Sequence, residues 1–244
     1  MSNRFRTNGD KKRNQQNNEF NCINLIHDIH KVCMTLHVYN CIRNSVIKNS
    51  ANSEKYRKAI VNPCVPLVIS TGPAGTGKSY KACTYAAELM RNEKQRYKAV
   101  YITRPFVSVE REDLGYLPGT LEEKMNPWMN HLISFCQVIP NRNVQLTTLG
   151  HMRGVTYENC IIIADEMQNS TPTQMKTLLT RMGENSKVIV IGDITQCDLE
   201  NKTHNGLIDL LERVDVDSPM VECVEFSIDE VRRSEFVKYV LSLY

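Results

Sequence analysis

The residues with the clearest chemistry are eight consecutive positions, Gly72-Pro73-Ala74-Gly75-Thr76-Gly77-Lys78-Ser79. They form the phosphate-binding pattern Gly-x-x-x-x-Gly-Lys-Ser, after an apolar run at 66–70 and before a helix-forming stretch at 80–91. Glycines let successive backbone N–H groups turn toward phosphate oxygens, and the following helix N-terminus adds partial positive charge. We predict that all eight residues bind a nucleoside triphosphate, with Lys78 on the β and γ phosphates and Ser79 on magnesium.

Two carboxylates supply the acidic element that such a phosphate loop requires. The apolar run at 160–164 is typical of a strand buried on both faces, and it ends in Asp165-Glu166. Ligands of open α/β sheets bind at the carboxyl ends of strands. We therefore expect Asp165 to hold magnesium, usually through water, and Glu166 to orient and deprotonate the attacking water.

A third apolar run, at 187–191, ends in the segment 192–196 and brings Gln196 to the same predicted edge. An isolated amide in this position would be an ordinary loop residue. Beside two elements of a phosphate site, we interpret Gln196 as a sensor of the γ-phosphate.

Composition predicts one substantial α/β domain, because the 244 residues are 41% hydrophobic. The nine cysteines include no Cys-x-x-Cys pair, and neither a signal peptide nor a membrane-spanning stretch is evident, so we expect a reduced, cytoplasmic protein with no membrane partner. The net charge of +3 arises in residues 1–20, an Asn- and Gln-rich tail that we expect to be disordered. This tail either contacts nucleic acid through its charge or is solvated without function.

The pattern divides the chain into the tail 1–20, a helical extension at 21–62 and the catalytic domain 63–244. Within the extension we expect a linker at 49–53 and a short helix between this linker and Pro63. Apolar periodicity in the last part predicts an α/β fold, a parallel sheet flanked by helices. The predicted strands after the loop are 99–103, 144–149, 160–164, 187–191 and 220–226. The predicted helices are 80–91, 121–136, 173–181, 206–213 and 231–243.

Four potential metal ligands lie within the extension, namely His30, Cys33, His37 and Cys41. One straight helix cannot easily wrap four ligands tetrahedrally around zinc. We therefore favour a packing face with apolar cysteines and half-buried histidines.

The segments between these motifs are also distinctive, and together they resemble the PhoH-like ATPases from about residue 66 to residue 244. The resemblance includes the phosphate loop, Ile102-Thr103-Arg104-Pro105, Leu114-Gly115-Tyr116-Leu117-Pro118-Gly119, Met152-Arg153-Gly154, Ala164-Asp165-Glu166-Met167-Gln168-Asn169, Leu179-Thr180-Arg181-Met182-Gly183 and residues 192–199. It implies a RecA-like P-loop core similar to the nucleotide domain of superfamily-one helicases, ATP and magnesium as ligands, and a role in RNA metabolism.

The chain departs from the family pattern in four places, one of which is Asn205, where the family often has serine. No glutamine that would read adenine is found in residues 22–65, Val155 replaces an arginine after Met-Arg-Gly, and Arg232-Arg233 replaces Arg-His. Base selectivity is therefore left open, and one positive contact is exchanged for another.

Negative charge develops on the γ-phosphoryl group in the transition state, and an arginine beside it stabilises this charge. Such an arginine accelerates hydrolysis by about 10³- to 10⁵-fold in other nucleotide hydrolases. We rank Arg232 first, Arg181 second and Arg233 third for this role, against the alternative of surface ion pairs. Related helicases bind ATP between two such domains, whereas this chain carries one. We therefore expect a homo-oligomeric ring of about six subunits, by resemblance, in which a neighbour supplies the arginine.

Arg104 and Arg153 are the candidates for contact with single-stranded RNA or DNA, because arginine binds phosphate in a bidentate manner. Tyr116 and Trp128 are either stacking platforms or core residues. Three functions stay open: an ATPase that remodels nucleic acid, a nucleotide-dependent assembly switch, and a small-molecule phosphotransferase. Glu166 argues for hydrolysis, and no clear lid supports the third.

Overall fold

The computed structural model describes residues 50–105, 143–199 and 205–241, together with residues 132, 134–136 and 139. These residues lie in a compact unit that spans Asn49–Tyr244. Its described strands are β1 (Leu67–Thr71), β2 (Ala99–Thr103), β3 (Val144–Leu146), β4 (Cys160–Ala164), β5 (Lys187–Gly192) and β6 (Val221–Glu225). Its described helices are α1 (Ala51–Val61), α2 (Lys78–Asn92), α3 (Pro172–Leu179), α4 (Gly206–Arg213) and α5 (Glu235–Leu241).

The strands form one parallel sheet in the order β3-β2-β4-β5-β1-β6. β5 therefore lies between β1, which leads into the phosphate loop, and β4, which ends before Asp165. Thr71 at the end of β1 is opposite Gly192 of β5 and Glu225 of β6. The predicted α/β class, a RecA-like parallel sheet flanked by helices, is confirmed, and the carboxyl ends of β1, β4 and β5 meet at one edge.

Hydrophobic residues cover both faces of this sheet. α1 and α2 pack on one face, where Ile161 and Ile163 of β4 are fully buried. The other face carries α3, α4 and the segment 149–157, which cover Ile162 of β4. Successive side chains of β4 point to opposite faces, so a strand between two helical layers must be apolar at every position.

α1 is part of this core, although the sequence interpretation assigned its residues to the extension at 21–62 and a linker at 49–53. The helix begins at Ala51 because the Ser50 side chain accepts a hydrogen bond from the Ser53 N–H and caps it. Tyr56 is fully buried and makes edge-on ring contacts with Tyr85 and Phe226. The linker prediction is therefore wrong for residues 51–53, whereas the short helix predicted after it is confirmed. The compact unit begins before residue 63.

The sequence predicted strands 99–103 and 160–164 and helix 206–213 with their observed bounds. Strand β3 is shorter than the predicted 144–149, since its register with β2 stops at the pair Ile102 and Leu146. The helix predicted at 231–243 is wrong at its start. A 3-10 turn covers Ile228–Glu230, and α5 begins only at Glu235, because the Arg232 N–H donates to the carbonyl of Gly75 instead of to a helical turn.

Several predictions concern residues outside the described part of the chain. They are the tail 1–20, the extension up to residue 48 with His30, Cys33, His37 and Cys41, the segment 114–119, Trp128 and most of the helix 121–136. Among the described residues, no helix is long and apolar enough to cross a membrane. Within the same ranges, no group of three or more His, Cys, Asp or Glu side chains is arranged to hold a metal ion.

Candidate nucleotide-binding site

The phosphate loop owes its shape to three glycines with positive φ. Gly72, Gly75 and Gly77 have φ values of 123°, 86° and 81°, a region that residues with a Cβ rarely adopt. At Gly72, an added Cβ would lie 2.2 Å from the carbonyl oxygen of Phe226, just beyond β6. The loop is therefore shaped by its own backbone and by the chain that follows the last strand.

Lys78 lies at the start of α2, and its Nζ donates to the carbonyls of Gly72 at 2.6 Å and Pro73 at 2.9 Å. Burial lowers the pKa of this amine, while the negative charges of Asp193, Asp165 and Glu166 act in the opposite direction. The sheet order brings the ends of β4 and β5 to this edge, so their three carboxylates act electrostatically on the loop lysine.

Ser79 and Asp165 are brought into direct contact, with the Ser79 Oγ donating to Asp165 Oδ1 at 2.8 Å. Asp165 is only 2% exposed, and its pKa is raised to about 6. Burial is the larger cause of this rise, and the negative charge of Glu166 is the second. The Ser79 hydrogen bond, Arg104 and Lys78 lower that pKa. A hydroxyl and a buried carboxylate at this distance match the oxygen ligands that magnesium takes beside phosphates.

One further carboxylate oxygen at this edge, Asp193 Oδ2 after β5, has no hydrogen-bond partner among the described residues. Buried polar atoms are normally paired, so oxygens of this kind suit a cation or its bound water. The residues present therefore fit a magnesium ion and the phosphates that it would bridge.

Glu166 follows Asp165 with φ 54°, an uncommon backbone conformation for a residue with a side chain. This conformation begins the 3-10 turn Met167–Asn169. The Glu166 side chain is half-buried, and its Oε2 accepts a hydrogen bond from Gln168 Nε2 at 2.6 Å. The second carboxylate is thus held in place by a side chain of its own turn.

Lys81 is a second buried lysine, and the motif did not reveal it. Its Nζ donates to the Thr76 carbonyl at 2.8 Å and lies 4.4 Å from the centre of the Phe226 ring. Burial lowers the pKa of Lys81 to about 8. The negative charge of Glu230 raises this pKa, and the positive charges of Arg232 and Lys78 lower it. Lys81 therefore stabilises the phosphate loop through its hydrogen bond to the Thr76 carbonyl. Its spacing of three residues after Lys78, one helical turn, was the only signal in the sequence.

Two of the candidate arginines lie next to the phosphate loop of their own chain. The Arg232 N–H donates to the Gly75 carbonyl at 2.9 Å, and an added Cβ at Gly75 would lie 2.9 Å from Arg233 Cγ. Both side chains are exposed. Arg181 is not brought to this site. Its carbonyl accepts from the Tyr157 N–H, before β4 begins, at the opposite edge of the sheet.

The other predicted residues are placed at different distances from the carboxylates. Arg104 directly follows β2, and its charge lowers the pKa of Asp165, so it lies within the electrostatic reach of the site. Gln196 is exposed in the turn after β5, where its N–H donates to the Asp193 carbonyl at 3.1 Å. Arg153 is exposed in the segment that crosses the sheet face between β3 and β4.

The parallel sheet, the glycine loop and the Ser79–Asp165 contact define a nucleotide-binding P-loop protein of the RecA-like class. The family model described as PhoH-like protein matches residues 45–244 of this chain. The chain belongs to the PhoH family, and the predicted resemblance is confirmed.

Three relatives illustrate the extent of the similarity. Protein PhoH of Escherichia coli K12 is 39% identical over 202 residues, which cover 78% of this chain and 55% of that protein. A PhoH-like protein of Mycobacterium tuberculosis H37Rv is 34% identical, and the match covers 86% of this chain and 61% of that protein. A Synechocystis PhoH-like protein is 42% identical, and the match covers 63% of this chain and 48% of that protein. The chain therefore spans about half to three fifths of the length of these relatives.

Among solved structures, the Pif1 helicase from Candida albicans matches with a TM-score of 0.40 and 16% identity, over 81% of this chain and 44% of that one. A Bacteroides Pif1 structure, bound to single-stranded DNA, matches with a TM-score of 0.31 and 15% identity, over 72% and 41%.

Proposed function

We propose that this protein binds ATP with magnesium and hydrolyses it, and that hydrolysis drives the remodelling of single-stranded RNA or DNA. The observation that carries the proposal is the 2.8 Å hydrogen bond from Ser79 to Asp165. This bond joins the helix that follows the phosphate loop to the strand that ends in two carboxylates. Family membership supports the same activity.

Each residue of the site has a role in this proposal. The Gly72 and Pro73 carbonyls now accept from Lys78 Nζ, and phosphate oxygens would replace them as its partners. Magnesium, held by Ser79 and Asp165, would neutralise charge on the phosphates. Glu166 would accept the proton of the attacking water, and Gln196 would contact the γ-phosphate from the β5 side.

Arg232 remains our first choice for the arginine that stabilises charge on the γ-phosphoryl group. Its backbone is bonded to Gly75, so the side chain starts within the phosphate site of its own chain. This position favours an arginine acting in its own subunit over one supplied by a neighbour. Arg233 becomes the second choice, because it packs against the same glycine, and Arg181 would act only on another subunit.

For nucleic acid, Arg104 is the stronger of the two candidates. It directly follows β2, so a bound strand at this edge would lie close to the nucleotide carboxylates. Arg153, exposed between β3 and β4, would extend that contact along the sheet. Arginine contacts to phosphates bind nucleic acid without reading its sequence.

The test is ATP hydrolysis with magnesium, with and without single-stranded RNA or DNA, in the parent and in Lys78→Ala, Glu166→Gln and Arg232→Ala. We expect nucleic acid to stimulate turnover and each substitution to abolish the stimulation. Lys78→Ala should weaken nucleotide binding, whereas Glu166→Gln should retain it and lose turnover.

Turnover that ignores nucleic acid would favour the assembly switch. Phosphate transfer to an added small molecule would favour the phosphotransferase. Binding without hydrolysis in the parent would overturn the proposed enzyme activity.

A further inference from the structure

Gln168 connects the ends of two strands through a single buried amide. It is 1% exposed and follows Glu166 in the 3-10 turn after β4. Its Nε2 donates to Glu166 Oε2 at 2.6 Å, and its Oε1 accepts from the Asp193 N–H, after β5, at 3.1 Å. Only one orientation of the amide satisfies both contacts, because the backbone N–H must meet oxygen and the carboxylate must meet nitrogen.

The same turn is bonded to the segment Gly192 to Leu199, which we call the β5 loop. Asn169 Nδ2 donates to Asp198 Oδ2 at 2.9 Å, and the Asp198 N–H donates back to Asn169 Oδ1 at 2.8 Å. The Cys197 Sγ donates to the Gln168 carbonyl at 3.3 Å. These bonds attach the turn and the β5 loop to each other at several points.

Gly192 leaves the space that the Gln168 amide occupies. A Cβ added at Gly192 would lie 2.7 Å from Gln168 Oε1 and 2.6 Å from Leu207 Cδ2. The close approach of β5 to this amide therefore depends on the absence of a side chain. The β5 loop also carries Gln196, which we propose to contact the γ-phosphate. Gln168 therefore links Glu166, the residue proposed to act on the attacking water, to the loop that carries Gln196.

We propose that Gln168 is a positioning residue that orients the Glu166 carboxylate for the attacking water and couples its position to the β5 loop. The inference rests on the proposed hydrolysis of ATP. Gln168 binds one oxygen of the carboxylate and leaves the other oxygen for water. A shift of Glu166 on nucleotide binding would move the amide, and with it the N–H of Asp193 and the loop behind it.

The kinetic test compares Gln168→Met, which keeps a similar volume and loses both hydrogen bonds, with Gln168→Glu, which keeps the acceptor for Asp193 N–H and loses the donor. We expect both variants to lower kcat about 100-fold while KM changes little, because small misplacements of reacting groups cost about this much. Gln174→Met is the matched control. It removes a side-chain bond to the Thr171 N–H on α3 and should leave kcat unchanged.

A double variant separates positioning from general support of the fold. If Gln168 acts through Glu166, then Gln168→Met should add no further loss of kcat to Glu166→Gln, since the two changes remove the same function. Independent losses that multiply, or a KM that rises in parallel with the fall in kcat, would overturn the proposal.

The coupling is tested without turnover. Hydrogen–deuterium exchange of residues 192–199 is measured with and without magnesium and a non-hydrolysable ATP analogue. We expect the analogue to protect this segment in the parent and in Gln174→Met, but not in Gln168→Met. Equal protection in Gln168→Met would overturn the coupling. If the parent binds the analogue and never hydrolyses ATP, the proposed function fails, while the exchange result still decides the role of Gln168 in coupling.

Discussion

At the scale of single residues, Gly72 leaves the least room for a side chain among the described glycines. Its backbone has φ 123°, and the carbonyl of Phe226 occupies the place of a side chain. Gly154 also has a positive φ, 77°, but an added Cβ there would meet nothing within 4 Å. An alanine at residue 154 therefore meets backbone strain alone, whereas an alanine at residue 72 meets both backbone strain and a clash with the backbone of Phe226.

Gly72→Ala should destabilise the protein by clearly more than Gly154→Ala, for which strain alone costs about 1–2 kcal/mol. The new methyl group at residue 72 must displace the chain after β6, so nucleotide binding should be lost as well. Urea unfolding and the rise in Tm on adding ATP and magnesium measure the two effects. Equal stability losses in the two variants would contradict this explanation.

The sequence was sufficient to predict the residues that face the phosphates, because their types and spacing follow directly from the chemistry. It did not reveal Gln168, although that residue lies beside Glu166. The bridge made by Gln168 requires Asp193, and only the sheet order brings the ends of β4 and β5 together. A glutamine in a turn has many possible partners, and its sequence position does not select among them.

At the scale of elements, α1 is held to the sheet by Lys187, the first residue of β5. This lysine is fully buried, and its Nζ donates to the carbonyls of Ala59, in the last turn of the helix, and of Asn62 and Val65, in the segment that follows it. A lysine at this position balances carbonyls that have no partner within the helix. Burial and the charge of Arg96 lower its pKa to about 7, while the charge of Cys64 acts in the opposite direction.

Lys187→Met should destabilise the protein by about 1–3 kcal/mol, because buried carbonyls lose their donors. The folded pKa of about 7 is below the ordinary value of 10.5, so between these values the unfolded chain binds more protons. Stability of the parent should therefore rise with pH in this range, by up to about 1.4 kcal/mol per pH unit, and the variant should lack this contribution. Urea unfolding at pH 7 and 9 tests both points, and a stability difference independent of pH would contradict the second.

Element prediction succeeded where apolar runs were uninterrupted and failed where a distant partner decided the structure. Strand β4 has five buried residues in a row and was predicted with its observed bounds. Residues 51–53 have polar side chains at two of three positions, yet Ser53 is buried against the core. Residues 231–234 were predicted as helix, but they are not helical, and the Arg232 N–H donates to the Gly75 carbonyl instead.

At the scale of the whole molecule, the segment after β6 carries exposed apolar side chains and also contacts the phosphate loop through the Arg232 N–H. Ile228 is 53% exposed, Phe236 is 72% exposed and Tyr239 is 61% exposed. Isolated exposed apolar residues are common, but three within one segment that contacts a nucleotide site suit contact with another copy of the chain. They support the proposed homo-oligomeric ring.

We expect sedimentation to detect a larger species when ATP and magnesium are added, and Phe236→Glu to weaken that assembly through an unpaired charge in the contact. Monomers that retain full activity would contradict the ring.

Subunit mixing tests which chain supplies the arginine. Because Arg232 is anchored on its own loop, mixtures of Lys78→Ala and Arg232→Ala subunits should remain inactive. Recovered turnover in the mixture would instead show that a neighbour supplies Arg232.

The position of β1 also affects how the protein is made. Its two neighbours in the sheet, β5 and β6, are the last two strands in sequence, and Gly72 packs against the residue that follows β6. During synthesis, the phosphate loop therefore leaves the ribosome long before the strands that shape it. Pairings between such distant segments form slowly, and an unpaired apolar strand is exposed to aggregation in the meantime. We therefore expect the nascent chain to bind nucleotide only after β6 and the residue that follows it have been released.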